Sequence, residues 1–200
     1  MRGMIVWLFL LLFGSGCVKK ADRIEASSTQ NETLMQEIYT QALEASKDNN
    51  PMRSIYLHTK NCEMGYSKSC NRVAYQHYSG EILTQNYSKA LELYDKSCKM
   101  KNKYGCFNLA NMLRLGEGTK AREVSLAFKL YKNNCSNECY RSCFNLAVMY
   151  YLGDATPKDK KLARKYFKKS CHSGMEIACE NYIGVKYNKI HYIQSDDTNQ

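Results

Sequence analysis

Apolar residues recur along this chain at steps of three, four and seven, the spacing of one face of a helix, and they do so in blocks that repeat. The blocks are keyed to cysteines. Cys62/Cys70, Cys98/Cys106, Cys135/Cys143 and Cys171/Cys179 each enclose seven residues, and their first members lie 36, 37 and 36 residues apart. Eight residues ahead of the first cysteine stands Ala90, Ala127 or Ala163, and four ahead stands Tyr94, Tyr131 or Phe167. Three residues after the second cysteine comes Val73, Leu109, Leu146 or Tyr182, followed at once by Ala74, Ala110 or Ala147 in the first three units. Gly80, Gly116 and Gly153 close those units ten residues after the second cysteine, where a helix calls for a left-handed residue. Each unit therefore reads as two helices joined by a short turn, one ahead of the cysteine pair and one after it. A fixed period in this range is the mark of a solenoid. The predicted fold is all-α, a right-handed α/α solenoid of four helix-turn-helix units at about 51–80, 81–116, 117–153 and 154–189, within an array spanning 51–193.

The ends depart from this pattern. The run Met4 to Phe13 is almost wholly apolar and leads through Gly14, Ser15 and Gly16 to Cys17, the layout of a secretory signal peptide over 1–16. Residues 17–31 are polar and read as a tether. From Glu32, Leu34, Ile38, Ala42 and Ala45 return at roughly helical steps behind a candidate cap, Asn31, predicting an N-terminal helix within 32–50 that covers the first unit. The tail 194–200 lacks apolar residues and reads as disordered. Ten cysteines behind an export signal read as disulfides.

The segments Asn108 to Gly116 (NLANMLRLG) and Asn145 to Gly153 (NLAVMYYLG) resemble the Sel1-like repeat, as do Lys89 to Tyr94 and Leu162 to Phe167 ahead of them. The cysteine spacing is similar to that of the Helicobacter cysteine-rich proteins. The resemblance spans about residues 51 to 189. Unit one departs from it with Ser54 and His58 in place of Ala and an aromatic. The turn glycine, present as Gly65 and Gly174, is replaced by Lys101 and Glu138, and the last unit carries Ile183 and Lys189 for Ala and the closing Gly. In one continuous helix, cysteines eight residues apart would lie about 12 Å from each other, beyond disulfide reach. A helix-turn-helix brings them together, so Cys62–Cys70, Cys98–Cys106, Cys135–Cys143 and Cys171–Cys179 are expected to be bridged. In the chain-entropy model each such small loop contributes about 2.5 kcal/mol.

Two cysteines remain. Cys17 follows a sequence that resembles a bacterial lipobox, although Gly14 stands where that motif prefers Leu; lipidation at Cys17 is expected, with ordinary cleavage as the alternative. Acyl chains there would anchor the protein to a membrane, without spanning it. Cys139 is the odd cysteine, a free thiol, an intermolecular link or a competitor for Cys135 and Cys143. No adjacent histidine completes a metal site around this trio, and no metal or other cofactor is expected.

Residues 51–193 hold twenty-four basic and eleven acidic side chains, whereas 21–50 hold two basic and six acidic. Lys158 to Lys169 is the densest run, with seven basic residues and one acid. It reads first as a solvated helix face, and otherwise as a surface for an acidic partner. Export disfavours nucleic acid despite the high pI. The sequence has no Gly-x-Ser-x-Gly, His-Glu-x-x-His or P-loop motif, no serine followed three residues later by lysine, and no Lys-Thr-Gly. His58 and His77 fall at core-like positions. The resemblance nevertheless implies penicillin binding or slow β-lactamase activity, with no residue to carry it over to. It also implies an adaptor: a periplasmic, outer-membrane or secreted scaffold that takes a protein, a peptide or a cell-wall peptide on its concave face, lined largely by the helices ahead of each cysteine pair.

Overall fold

The computed structural model describes residues 15–191, with side chains from residue 29 onward. The expected signal segment lies almost wholly outside the described residues, as do the 194–200 tail and the side chain of Cys17. Nine α-helices and no strands are found among the described residues. Helix α1 spans Ser15–Lys47, and the rest pair off: α2 (Pro51–Glu63) with α3 (Ser67–Ser79), and α4 (Tyr87–Lys99) with α5 (Lys103–Leu115). Then come α6 (Val124–Ser136) with α7 (Tyr140–Leu152), and α8 (Lys160–Cys171) with α9 (Glu176–Gly184), which ends in a short 3-10 turn, Val185–Tyr187.

Polar side chains start several of these helices. Asn50, Asn86 and Asp159 accept the backbone N–H of Arg53, Lys89 and Leu162, and Asn102 accepts those of Tyr104 and Gly105, each satisfying donors that a helix start leaves free. Pro51 follows Asn50 in the first turn of α2, where a missing N–H costs nothing. Helix α1 departs from the sequence reading. It runs unbroken through the stretch expected as a tether, so Asn31 sits inside it and caps nothing. The stretch is polar, but it contains neither proline nor glycine between Cys17 and Lys47, and polarity alone does not break a helix.

The four expected cysteine pairs are bridged, with Cα–Cα distances of 4.6, 4.4, 4.8 and 4.5 Å. Each staple locks the end of one helix to the start of the next. Between the pairs, Ala90, Ala127 and Ala163 are fully buried and let backbones approach, while Tyr94, Tyr131 and Phe167, at 2% exposure or less, fill the space left over.

A second set of bonds ties each unit to the one before it. The residue ahead of each first cysteine is buried and donates to a main-chain carbonyl of the preceding unit or of α1. These bonds are Asn61 to Met35, Ser97 to Ser67, Asn134 to Lys103 and Ser170 to Tyr140, all at 2.8 Å. The two asparagines also donate across the turn to Ser69 and Ser142. Where serine stands instead, the facing residue shrinks to Gly105 or Ala178. Lys96 and Lys169 add bonds from units two and four to the Cys62 and Cys135 carbonyls. Units one and three thus share one latch, and units two and four another.

Candidate functional site

The eight helices of the pairs form two ranks, α2, α4, α6, α8 and α3, α5, α7, α9. Helix α3 packs directly on α5. Short asparagine side chains are enough to bridge this rank: Asn108 Nδ2 donates to Asn71 Oδ1 at 3.0 Å, and Asn145 Nδ2 to Asn111 Oδ1 at 2.9 Å. In the other rank α4 reaches α2, and α8 reaches α6, with lysines. Helices on the inside of a bent stack lie closer together, so α3, α5 and α7 line the concave side. This corrects the sequence reading, which put the helices ahead of each cysteine pair there.

The half-buried asparagines are the chemistry of this face. Each amide that donates to its neighbour keeps its carbonyl oxygen for another partner, and Asn71 keeps its NH₂. Asn111 is saturated further, since the Tyr131 hydroxyl from α6 also donates to its oxygen at 2.5 Å. Burial pushes that hydroxyl up to about 12 against the pull of Arg114, so Tyr131 stays a neutral donor. Tyr78 on α3 faces Glu117 at 3.4 Å and is pushed up to about 12, first by its burial and then by the Glu117 charge. Glu117 sits above the ordinary carboxylate range because it too is part-buried, an effect its bond from Tyr78 and nearby Arg114 only partly offset. Nε of Arg114 and Oε2 of Glu117 are buried without a protein partner. The strip therefore offers amide groups, one cation and one carboxylate.

Other expected residues fall elsewhere. Cys139 is the one free cysteine among the described residues. At 3% exposure it starts α7, at the position held by Tyr66, Asn102 and Met175 in the other units. A buried thiol is poorly placed for an intermolecular link. The basic run builds α8, where Lys161, Arg164, Lys165 and Lys168 are exposed. Part of it is occupied within the fold: Arg164 lies over the Tyr182 ring, 4.4 Å from its centre, Lys160 donates to Asn188, and Lys169 serves the latch to Cys135. His58 is buried and lies 3.2 Å from the Ser69 hydroxyl, a serine–histidine contact that the sequence did not reveal. Ser69 is fully buried and also accepts from Asn61, so no substrate carbonyl can reach it. His77 is half-buried with Nδ1 unpartnered, and His172 and His191 are exposed. Among the described residues no three His, Cys, Asp or Glu side chains converge as a metal site would need, and no helix is long and apolar enough to cross a membrane.

The asparagine pairs escaped the sequence reading. Asn108 and Asn145 lie two residues after their cysteine but Asn71 lies one after, so no single column contains them.

The Sel1 repeat family model matches residues 67–102, 103–133 and 141–175. Its first two matches begin at the first residues of α3 and α5, one helix later than the units read from the cysteines. A protective antigen present in uropathogenic Escherichia coli strains, described as displaying an SLR fold, superposes with a TM-score of 0.68 at 22% identity, covering 78% of this chain and 34% of that one. A Sel1 repeat protein from Oxalobacter formigenes gives 0.71 at 17% identity, over 82% of this chain and 66% of that one. The chain thus spans about a third of the first of these proteins and just under two thirds of the second. Helicobacter pylori cysteine rich protein B gives 0.51 at 26% identity, over 64% of this chain and 92% of its own length. No curated protein sequence matches significantly.

Proposed function

The chain belongs to the Sel1 repeat family, and from that premise we propose that it is an exported, disulfide-stabilised scaffold that binds an extended segment of peptide or protein along α3, α5 and α7. The observation that carries this reading is the pair of asparagine bridges, Asn108–Asn71 and Asn145–Asn111. They hold amide donors and acceptors at consecutive units of the array, and a peptide main chain offers the complementary groups at a similarly regular spacing. A cell-wall peptide meets the same requirement. Four disulfides fit an oxidising compartment. The apolar segment ahead of Cys17 supplies the export signal, and a lipid on Cys17 holds the scaffold at the periplasmic or outer-membrane surface; ordinary cleavage there would release it.

β-Lactam hydrolysis gains nothing from this geometry, because Ser69 is sealed beneath His58 and Asn61. The scaffold reading is tested by selecting random extended peptides, displayed on phage, against the oxidised 18–200 segment. Enriched peptides are expected to bind the double variant Asn108→Ala, Asn145→Ala at least tenfold more weakly, since two hydrogen-bonding amides at about 1 kcal/mol each are removed. Peptides that hold equally well to a folded double variant would place the binding face elsewhere.

A further inference from the structure

Unit one breaks the rule that an aromatic fills the space four residues ahead of the first cysteine. Tyr94, Tyr131 and Phe167 are each buried to within 2% at that position, whereas unit one has the smaller His58. A cavity of ≈ 80 Å³ opens beside it between α1, α2 and α3, its lining including Leu43 of α1, Ile55 of α2, Arg72, Val73 and Gln76 of α3, and Ile82 beyond. A space of this size holds more than one water molecule, and five of its ten lining residues are polar, so it is not a dry packing defect.

The polar groups have a definite sense. Asn61 Nδ2 donates to Ser69 Oγ at 3.0 Å, and the one acceptor given to the Ser69 proton is His58 Nδ1, at 3.2 Å. A Ser69 hydroxyl that donates to Nδ1 leaves the imidazole proton on Nε2, which has no partner among the described residues and would make the ring a hydrogen-bond donor on the cavity wall. The Arg72 guanidinium lines the same cavity and takes part in no ion pair among the described residues. Gln76 Oε1 is buried without a partner and supplies an acceptor. Leu43, Ile55, Val73 and Ile82 furnish an apolar wall.

We propose that this cavity is a binding site for a short aliphatic monocarboxylic acid bearing an amino or hydroxy group, either free or as the C-terminal residue of a peptide. The carboxylate pairs with Arg72 and accepts from His58, the ammonium, amide N–H or hydroxyl donates to Gln76, and the alkyl group meets the apolar wall. The site is separate from the asparagine bridges, so it stands or falls independently of the scaffold reading.

The test is titration of the isotope-labelled, oxidised 18–200 segment, followed by amide chemical shifts. The probes are lactate, both enantiomers of alanine, N-acetylalanine, an alanine-ended tripeptide and that tripeptide's C-terminal amide. Saturable shifts confined to residues lining the cavity are expected from at least one carboxylate probe, and none from the amide. The free acids and the tripeptide together tell which source the site prefers. His58→Tyr restores the aromatic of the other units and fills the space, so it should abolish binding while leaving the protein folded. Arg72→Gln, at an exposed position, should weaken binding at least tenfold. No saturable shift from any probe, or undiminished binding in a folded His58→Tyr protein, would overturn the assignment.

Discussion

At the scale of single residues, His58 illustrates how one exception in a repeated position acquires consequences of its own. Its neighbours are Ser69 and Asn61, both neutral, the Tyr39 ring with its centre 5.3 Å away, and cationic Arg72. Burial first, and the Arg72 charge second, lower its pKa from 6.5 to about 4. The unfolded chain therefore takes up a proton between pH 6.5 and 4 while the folded protein does not. The stability held by the neutral imidazole is complete above pH 6.5 and is lost as pH falls toward 4. The difference corresponds to about 3 kcal/mol. Urea unfolding at a series of pH values should show this loss, and His58→Tyr should remove that share of it. An unchanged pH slope in the variant would mean that carboxylates alone set the acid limit.

At the scale of the element, the turn between paired helices needs the same left-handed residue in every unit. Gly65, Lys101, Glu138 and Gly174 have φ of 98°, 62°, 62° and 89°. A side chain in that conformation costs about 1 kcal/mol or more, and glycine avoids the cost at the expense of a more flexible unfolded chain. Lys101→Gly and Glu138→Gly are expected to stabilise the protein by about 0.5–1 kcal/mol each, a rise in melting temperature that calorimetry resolves. A fall in both would show that the Lys101 and Glu138 side chains make compensating contacts. The turns also show why the units were legible in the sequence. A staple, an alanine contact and a left-handed turn are local requirements, each fixed by offsets from one cysteine, so they recur as columns. The inner rank was not legible in this way, because which helices sit closer depends on the sum of small rotations between units. The latch escaped the same columns because it alternates with a period of two units, Asn61 and Asn134 facing serines while Ser97 and Ser170 face Gly105 and Ala178. The length of α1 was missed for a different reason: polar composition marked 17–31 as a tether, but nothing in that stretch stops a helix.

At the scale of the whole molecule, stability is distributed as in any one-dimensional array: each unit has its own free energy plus an interface with each neighbour. Four small disulfide loops at about 2.5 kcal/mol each add about 10 kcal/mol, as much as the net stability of a typical domain. Full reduction is accordingly expected to unfold the array. Removing single staples distinguishes a row of coupled units from one cooperative block. Unit four packs on unit three alone, through α7 and α8, whereas unit two lies between α3 and α6 and is latched to unit one through Lys96 and Ser97. Replacing Cys171 and Cys179 by serine should therefore raise hydrogen exchange in α8 and α9 and leave α2 to α5 protected. Replacing Cys98 and Cys106 should raise exchange in α4 and α5 and also in α3 and α6, because both interfaces of unit two are weakened. The central variant should lose more melting temperature than the terminal one, although each lacks one loop of the same length. Equal losses with uniform exchange throughout would instead mean that the four staples support a single all-or-none unit. The concave face would then be ordered or lost as a whole when the compartment's redox state changes.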